Sequence, residues 1–317
     1  MGRGEVAGAV ILALLSACGT PPAVGQAEMK ADLTLDRAKA PGEASVDTSA
    51  RDLRVSPDAD PVGELRALTY NVAGLPFGLS KSDPDRNTPL ISPLLNPFDL
   101  VLLQEDFSYT QQLSSAATHP YKSKPGQPAA GTLLNDGLTL FSRAPFTGFV
   151  RNKWTQCFGV VDNGSDCLAS KGFSVAELEL APGVVAHVYN LHMDAGQDAP
   201  DFDARAAQVD QLLQELSVRS AKAAVIVGGD TNLKLSASVN NQALLDKLLT
   251  QGGLTDACQA VSCGDPRIDR IFYRSGPALT LAALAWTLDG SFVDSAGKPL
   301  SDHEAVAVRL GWTVRRP

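Results

Sequence analysis

The segment "FDARAAQVDQLLQELSVRSAKAAVIVGGDTN", residues 202–232, changes period once, and that change sets the fold class. In its first half Phe202, Ala206, Val209, Leu212, Leu213 and Leu216 form one apolar stripe, which predicts an amphipathic helix over 202–219. Its second half, 223–228, is an unbroken apolar run of strand length, closed by Gly229 and Asp230. A helix followed by a buried strand predicts an α/β protein whose helices cover its sheets.

Outward from this segment, strand patterns outnumber helical ones. Apolar or alternating runs predict strands over 65–72, 99–103, 137–141, 268–273, 279–286 and 304–310. Residues 173–180 and 184–191 flank "APGV", the pattern of a hairpin. Further helices are expected over 109–118 and 239–249, and no internal repeat is visible.

Charge narrows the partners. The 317 residues carry 27 Lys and Arg against 35 Asp and Glu, a formal charge of −8. Such a chain has no general attraction to nucleic acid, whose binding rests on cationic patches and released counterions. A nuclease with a small local patch is still compatible with it.

The first residues, "MGRGEVAGAVILALLSACGT", hold a weak basic start at Arg3 and an apolar run over 6–15, too short to span a bilayer. "LSAC", 15–18, resembles a bacterial lipoprotein processing site. That reading makes 1–17 a signal peptide, Cys18 a lipid-anchored first residue, 18–62 a proline-rich tether and 63–317 the folded domain. An ordinary secretory signal is the alternative, and either one exports the protein. Export, with Cys157, Cys167, Cys258 and Cys263 left over, predicts local disulfides Cys157–Cys167 and Cys258–Cys263. A zinc cluster is the competing reading, but no histidine lies near either pair.

Polar residues gather at the ends of the expected strands: Asn71, Glu105, His192, Asp230 with Asn232, Asp269, and Asp302 with His303. Taken singly, each has an ordinary explanation. Asn71 suits a turn cap, Glu105 and Asp106 a solvated pair, and "GGDTN" a tight turn. His192 suits a core histidine, and Asp269 a partner for Arg267 or Arg270. Strand ends meeting at one sheet edge are, however, a usual address for a site. Carboxylates, carboxamides and histidines without a cysteine or serine nucleophile suit a hydrolase using a hard cation. Oxygen ligands favour magnesium first, then manganese or calcium, over zinc.

The ordered set "YNVAG" (70–74), "LLQED" (102–106), "YNLHMD" (189–194), "IVGGDTN" (226–232), "RIDRIF" (267–272) and "LSDHEAV" (300–306) resembles the endonuclease/exonuclease/phosphatase superfamily, over roughly 65–312. The resemblance implies a four-layer α/β/β/α sandwich of two packed, mostly antiparallel sheets, and a metal-dependent phosphoric ester hydrolase. It implies roles as well: Glu105 as chief metal ligand beside Asn71, Asp230 orienting the attacking water, Asn232 and His192 donating to phosphate oxygens. His303 would be the general base, Asp302 its orienting partner, and Asp269 a support behind them.

Three further segments, "NDGLTLFSR" (135–143), "DCLASKGFSVAEL" (166–178) and "ARAAQVDQL" (204–212), resemble the bacterial and neutral sphingomyelinases of that superfamily. They imply a monomer acting on a phospholipid head group at a membrane surface, with Lys171 leaning toward the phosphate or simply solvated at a strand start. The competitors are a nuclease, an inositol-phosphate phosphatase and a binding lipoprotein on a retired catalytic fold. Trp286, Phe292, Leu279 and Leu281 are left between membrane contact and core.

Overall fold

A computed structural model describes residues 62–75, 82–160, 166–264 and 267–315. The signal, lipidation and most of the tether reading fall on residues 1–61, outside the described residues. Along the chain run β1 (Val62–Asn71), α1 (Pro84–Leu94), β2 (Leu100–Gln104), α2 (Thr110–Ser114), β3 (Tyr121–Lys122), β4 (Thr139–Ser142) and β5 (Phe146–Lys153). There follow β6 (Gly172–Ala181), β7 (Val184–His192), α3 (Ala199–Val218), β8 (Ala224–Asp230), α4 (Val239–Gly252), β9 (Thr255–Asp256), α5 (Ala257–Ala260), β10 (Asp269–Arg274), β11 (Leu279–Leu288) and β12 (Val306–Val314).

The strands form two six-stranded sheets, ordered β11-β12-β1-β2-β4-β3 and β5-β6-β7-β8-β10-β9. Within them β1 pairs with β2 and β7 with β8 in parallel, while the other pairings are antiparallel. Period-2 alternation explains the layering. Leu65, Ala67, Leu100 and Leu102 of one sheet meet Ala176, Leu178, Val188 and Ile226 of the other in the central core. The opposite faces are covered by helices. Val209, Leu212 and Leu216 of α3 and Leu245 and Leu248 of α4 pack on Tyr189, Val225 and Val227. Ile91 of α1 and Leu113 of α2 pack on Leu68, Val101 and Leu103. The expected four-layer sandwich is the observed fold.

Five elements escaped the sequence pattern: the short β3, β9 and α5, and the longer α1 and β5. Helix α1 contains Pro84, Pro89 and Pro93, which weaken any helical expectation. It forms because Pro84 starts it, Asp83 caps it by accepting from the Arg86 N–H, and tertiary burial of Ile91 outweighs propensity. Strand β5, "FTGFVRNK", carries polar residues on a half-exposed edge and is held by pairing with β6.

Both disulfides are present, with Cα separations of 5.4 Å for Cys157–Cys167 and 4.9 Å for Cys258–Cys263. Leu279, Leu281 and Phe292 are buried, and Trp286 packs against the central core. Leu279, Leu281 and Phe292 therefore belong to the interior, while Trp286 is partly buried. Among the described residues no helix is long and apolar enough to cross a membrane.

Candidate active site

The two sheets bring their polar strand ends to one edge. Asn71 closes β1, Glu105 follows β2, His192 closes β7, Asp230 closes β8 and Asp269 opens β10. Register does much of the assembly. Asp269 lies opposite Asp230, and His192 lies beside Asp230 on the parallel neighbour. Beneath the site a buried polar bridge ties the sheets together: Gln104 Nε2 donates to Asn190 Oδ1 at 2.7 Å, and Asn190 Nδ2 donates to the Leu103 carbonyl at 2.8 Å. Buried amides satisfied in this way favour one sheet-to-sheet arrangement.

Asn71 is wholly buried, and its Oδ1 accepts from the Ala73 N–H at 3.0 Å. Its Nδ2 therefore faces the carboxylates, donating to Glu105 Oε1 at 3.0 Å and Asp230 Oδ2 at 3.2 Å. It bridges the two acids. Glu105 has φ +57, a left-handed conformation that costs a non-glycine residue energy and is a hallmark of constrained sites. The turn separates it from Asp106. That carboxylate points inward, accepting from the hydroxyls of Thr110 and Thr139, and is 2% exposed. Asp106 is neither a solvated partner of Glu105 nor a ligand at the site.

Asp230 Oδ1 accepts from the Asn232 N–H at 2.9 Å, so the expected tight turn is real and is also what aims Oδ2 at the site. Asn232, at φ +50, donates from Nδ2 to the Met193 carbonyl at 3.0 Å. His303 sits 3.8 Å from Asp230 Oδ2 through Nε2, and its Nδ1 lies 2.8 Å from Asp269 Oδ2. The aspartate that holds His303 is therefore Asp269 and not the adjacent Asp302, whose side chain is exposed. Ser301 explains the divergence. Its hydroxyl donates to the Asn71 carbonyl and accepts from the His303 N–H, locking a bend that turns His303 inward and leaves Asp302 outside.

His192 is buried, with Nε2 3.0 Å from Lys171 Nζ. An ammonium has no acceptor, so the imidazole nitrogen must accept. Nε2 of His192 thus accepts from Lys171, which also pairs with Asp166. Lys171 is buried, which overturns its reading as a solvated lysine, and "ASKG" was its only sequence signal.

Electrostatics agree with the geometry. Burial raises the Glu105 carboxyl, and the charge of Asp230 adds to this against the opposing Lys171 and Asn71. Burial and the Asp230 charge likewise raise Asp269. Burial lowers His303, but the Asp269 hydrogen bond and the surrounding carboxylates outweigh it and hold the imidazole above its ordinary range. Burial, then the charges of Lys171 and His303, keep His192 neutral, well below its ordinary value.

This donor set fits a hard divalent cation. Glu105 and Asp230 both face the site, and ligand atoms of Asp230, Asp269 and His303 lie within 4.8 Å of one another. Asp269 Oδ1 is buried without a hydrogen-bond partner. Crowded carboxylates held above their ordinary range are what a divalent ion relieves.

Comparison with known proteins agrees with this arrangement. The Endonuclease/Exonuclease/phosphatase family pattern matches residues 68–303. The chain is 34% identical over 274 residues to a Sphingomyelinase of Mycobacterium tuberculosis, covering 80% of this chain and 54% of that protein. It thus spans about half the length of that relative. A Putative neutral sphingomyelinase of Drosophila melanogaster is 24% identical, covering 78% of this chain and 60% of that one. The fold is shared with Sphingomyelinase C from Streptomyces griseocarneus, at TM-score 0.58 and 22% identity over 78% of this chain and 99% of that one. It is also shared with TDP2 of D. rerio complexed with single strand DNA product, at TM-score 0.57 and 18% identity over 78% of this chain and 98% of that one. With the family pattern running from inside β1 to His303 itself, the chain belongs to the Endonuclease/Exonuclease/phosphatase family.

Proposed function

We propose that this domain hydrolyses a phosphodiester in a phospholipid head group, with sphingomyelin, cut to ceramide and phosphocholine, as its substrate. The observation that carries the reaction class is the convergence of Glu105, Asn71, Asp230, Asp269, His192, Lys171 and His303 at one sheet edge. Similarity to sphingomyelinases, and the "ASKG" lysine built into this site, support the substrate.

Glu105, beside Asp230, would hold the cation, magnesium being the first candidate. A neighbour of the same fold, beta toxin from Staphylococcus aureus, was solved with bound magnesium ions. When bound, the cation supplies positive charge to the phosphoryl oxygens and offsets the carboxylates that hold His303 protonated. His303 takes the proton of the attacking water at Nε2, while Asp269 at Nδ1 fixes the tautomer and stabilises the imidazolium. Asp230 Oδ2, 3.8 Å from Nε2, orients that water. Lys171, held by His192 and Asp166, donates to phosphoryl oxygens as charge develops.

The test is a substrate panel of sphingomyelin, phosphatidylcholine, DNA, RNA and inositol phosphates, each with magnesium, manganese or calcium. His303→Ala serves as the blank. Phosphocholine release that depends on His303 supports the assignment. DNA cleavage without it moves the substrate to nucleic acid and leaves the reaction class standing.

A further inference from the structure

One turn of α3, remote from the reacting groups in sequence, fastens two loops of the site. Asp194, two residues beyond His192, is completely buried. Its Oδ1 accepts from Gln208 Nε2 at 2.7 Å, its Oδ2 from the Phe158 N–H at 2.7 Å, and its own N–H donates to Gln208 Oε1 at 3.0 Å. Gln208, itself completely buried, also donates to the Gln156 carbonyl at 2.9 Å. From the preceding turn Arg205 Nη1 donates to the carbonyls of Asp194, Ala195 and Gly196 at 2.9, 3.2 and 3.0 Å.

What these bonds hold is the corner of the site. The Met193 carbonyl receives Asn232 Nδ2 at 3.0 Å and Lys171 Nζ at 3.4 Å, and the His192 carbonyl receives Trp154 Nε1 at 2.7 Å. The loops leaving Trp154 and Met193 are the two that Gln208 clamps. Pure packing of α3 on the sheet needs none of this, since Val209, Leu212 and Leu216 already supply it. A buried glutamine with both amide ends engaged fixes geometry more sharply than apolar contact.

We propose that Gln208 and Arg205 are positioning residues that act through Asp194 to set the placement of Lys171, His192 and Asn232. This rests on the phosphodiesterase reading above. Displacing such groups by about 1 Å is enough to lower turnover on the order of 100-fold.

Two variants test it, measured on the panel substrate that wild type turns over. Gln208→Leu removes every polar contact, and kcat is expected to fall roughly 10–100-fold with KM within about threefold. Gln208→Glu sets a second carboxyl against Asp194, whose own carboxyl burial and the Asp166 charge raise to about 6. At pH 5.5 one shared proton preserves the contact, and at pH 8 the two charges repel. The ratio of its kcat to wild type is therefore expected to fall at least about 10-fold between those pH values. Asp166, Lys171 and Arg205, the charged groups facing Asp194, are common to both proteins and cancel in the ratio. The ¹⁵N imidazole signals of His192, one of four histidines, should move in Gln208→Glu at pH 8 and match wild type at pH 5.5. A flat kcat ratio with an unmoved His192 signal overturns the proposal, whatever happens to Tm. Wild type inactive on every phosphodiester overturns the functional reading instead, and the His192 signal still decides the positioning claim.

Discussion

Asp269 and His303 are joined through Oδ2 and Nδ1 at 2.8 Å, although 34 residues separate them. The bond leaves Nε2 facing Asp230 Oδ2 at 3.8 Å, where the proposed reaction has it take a proton from water.

Asp269→Asn should therefore lower kcat by about 10²–10⁴, because the amide no longer holds the required tautomer or stabilises the imidazolium. Asp302→Asn, at an exposed position, should stay within about threefold of wild type. Steady-state kinetics of the two variants side by side would show the reverse order if Asp302 were the partner.

Glu105→Gln should leave the fold intact and weaken divalent cation binding by at least roughly 10-fold, since a neutral amide replaces the chief carboxylate. Calorimetric titration of magnesium reads this directly. Unchanged affinity would shift the ligand role to the Asp230, Asp269 and His303 group.

Lys171→Met should destabilise the domain by about 3 kcal/mol, because Asp166 loses its buried ionic partner and Glu105 a compensating charge. Urea unfolding measures the loss. Asp166→Asn in the Lys171→Met background should then cost far less than it does alone, and strictly additive effects would exclude a coupled pair.

Asp106 predicts a pH effect of the opposite sense to a surface ion pair. Burial outweighs its two threonine hydrogen bonds and raises the carboxyl from 3.8 to about 6 on folding. The neutral form is thus favoured in the folded state. Its contribution is fully present below pH 3.8 and lost as pH rises through about 6. Asp106→Asn should be more stable than wild type at pH 8 by on the order of 2–3 kcal/mol, with little difference at pH 4. Denaturant midpoints at the two pH values check the sign.

Reducing Cys157–Cys167, a separation of 10 residues, should lower stability by about 2–3 kcal/mol through the unfolded chain. The Cys157→Ser/Cys167→Ser double variant should match reduced wild type in its unfolding midpoint once Cys258–Cys263 is also reduced in both. Under oxidising conditions the double variant should unfold below wild type by that amount, and equal oxidised midpoints would mean that the first pair does not form.

The sequence by itself determined the layer architecture, because the period of apolar residues is a local property. The stripe on α3 and the run in β8 were legible without any knowledge of what they touch. Motif order along the chain also named the polar strand ends, since residue chemistry and spacing are written in the sequence. Only tertiary structure decided how those residues divide their work. Asp302 is nearer His303 in sequence than Asp269 is, yet the Ser301 bend turns it outward while β10–β8 pairing delivers Asp269. Asp106 is adjacent to Glu105, yet a left-handed φ at Glu105 sends the two carboxylates to different surroundings. The sequence leaves Lys171 between leaning toward a phosphate and a solvated strand start, and the fold buries it with His192 and Asp166 as its partners. The reason is the same in each case. Turns point consecutive side chains apart, and partners are chosen by which strands pair across the sheet, at separations a local pattern does not encode.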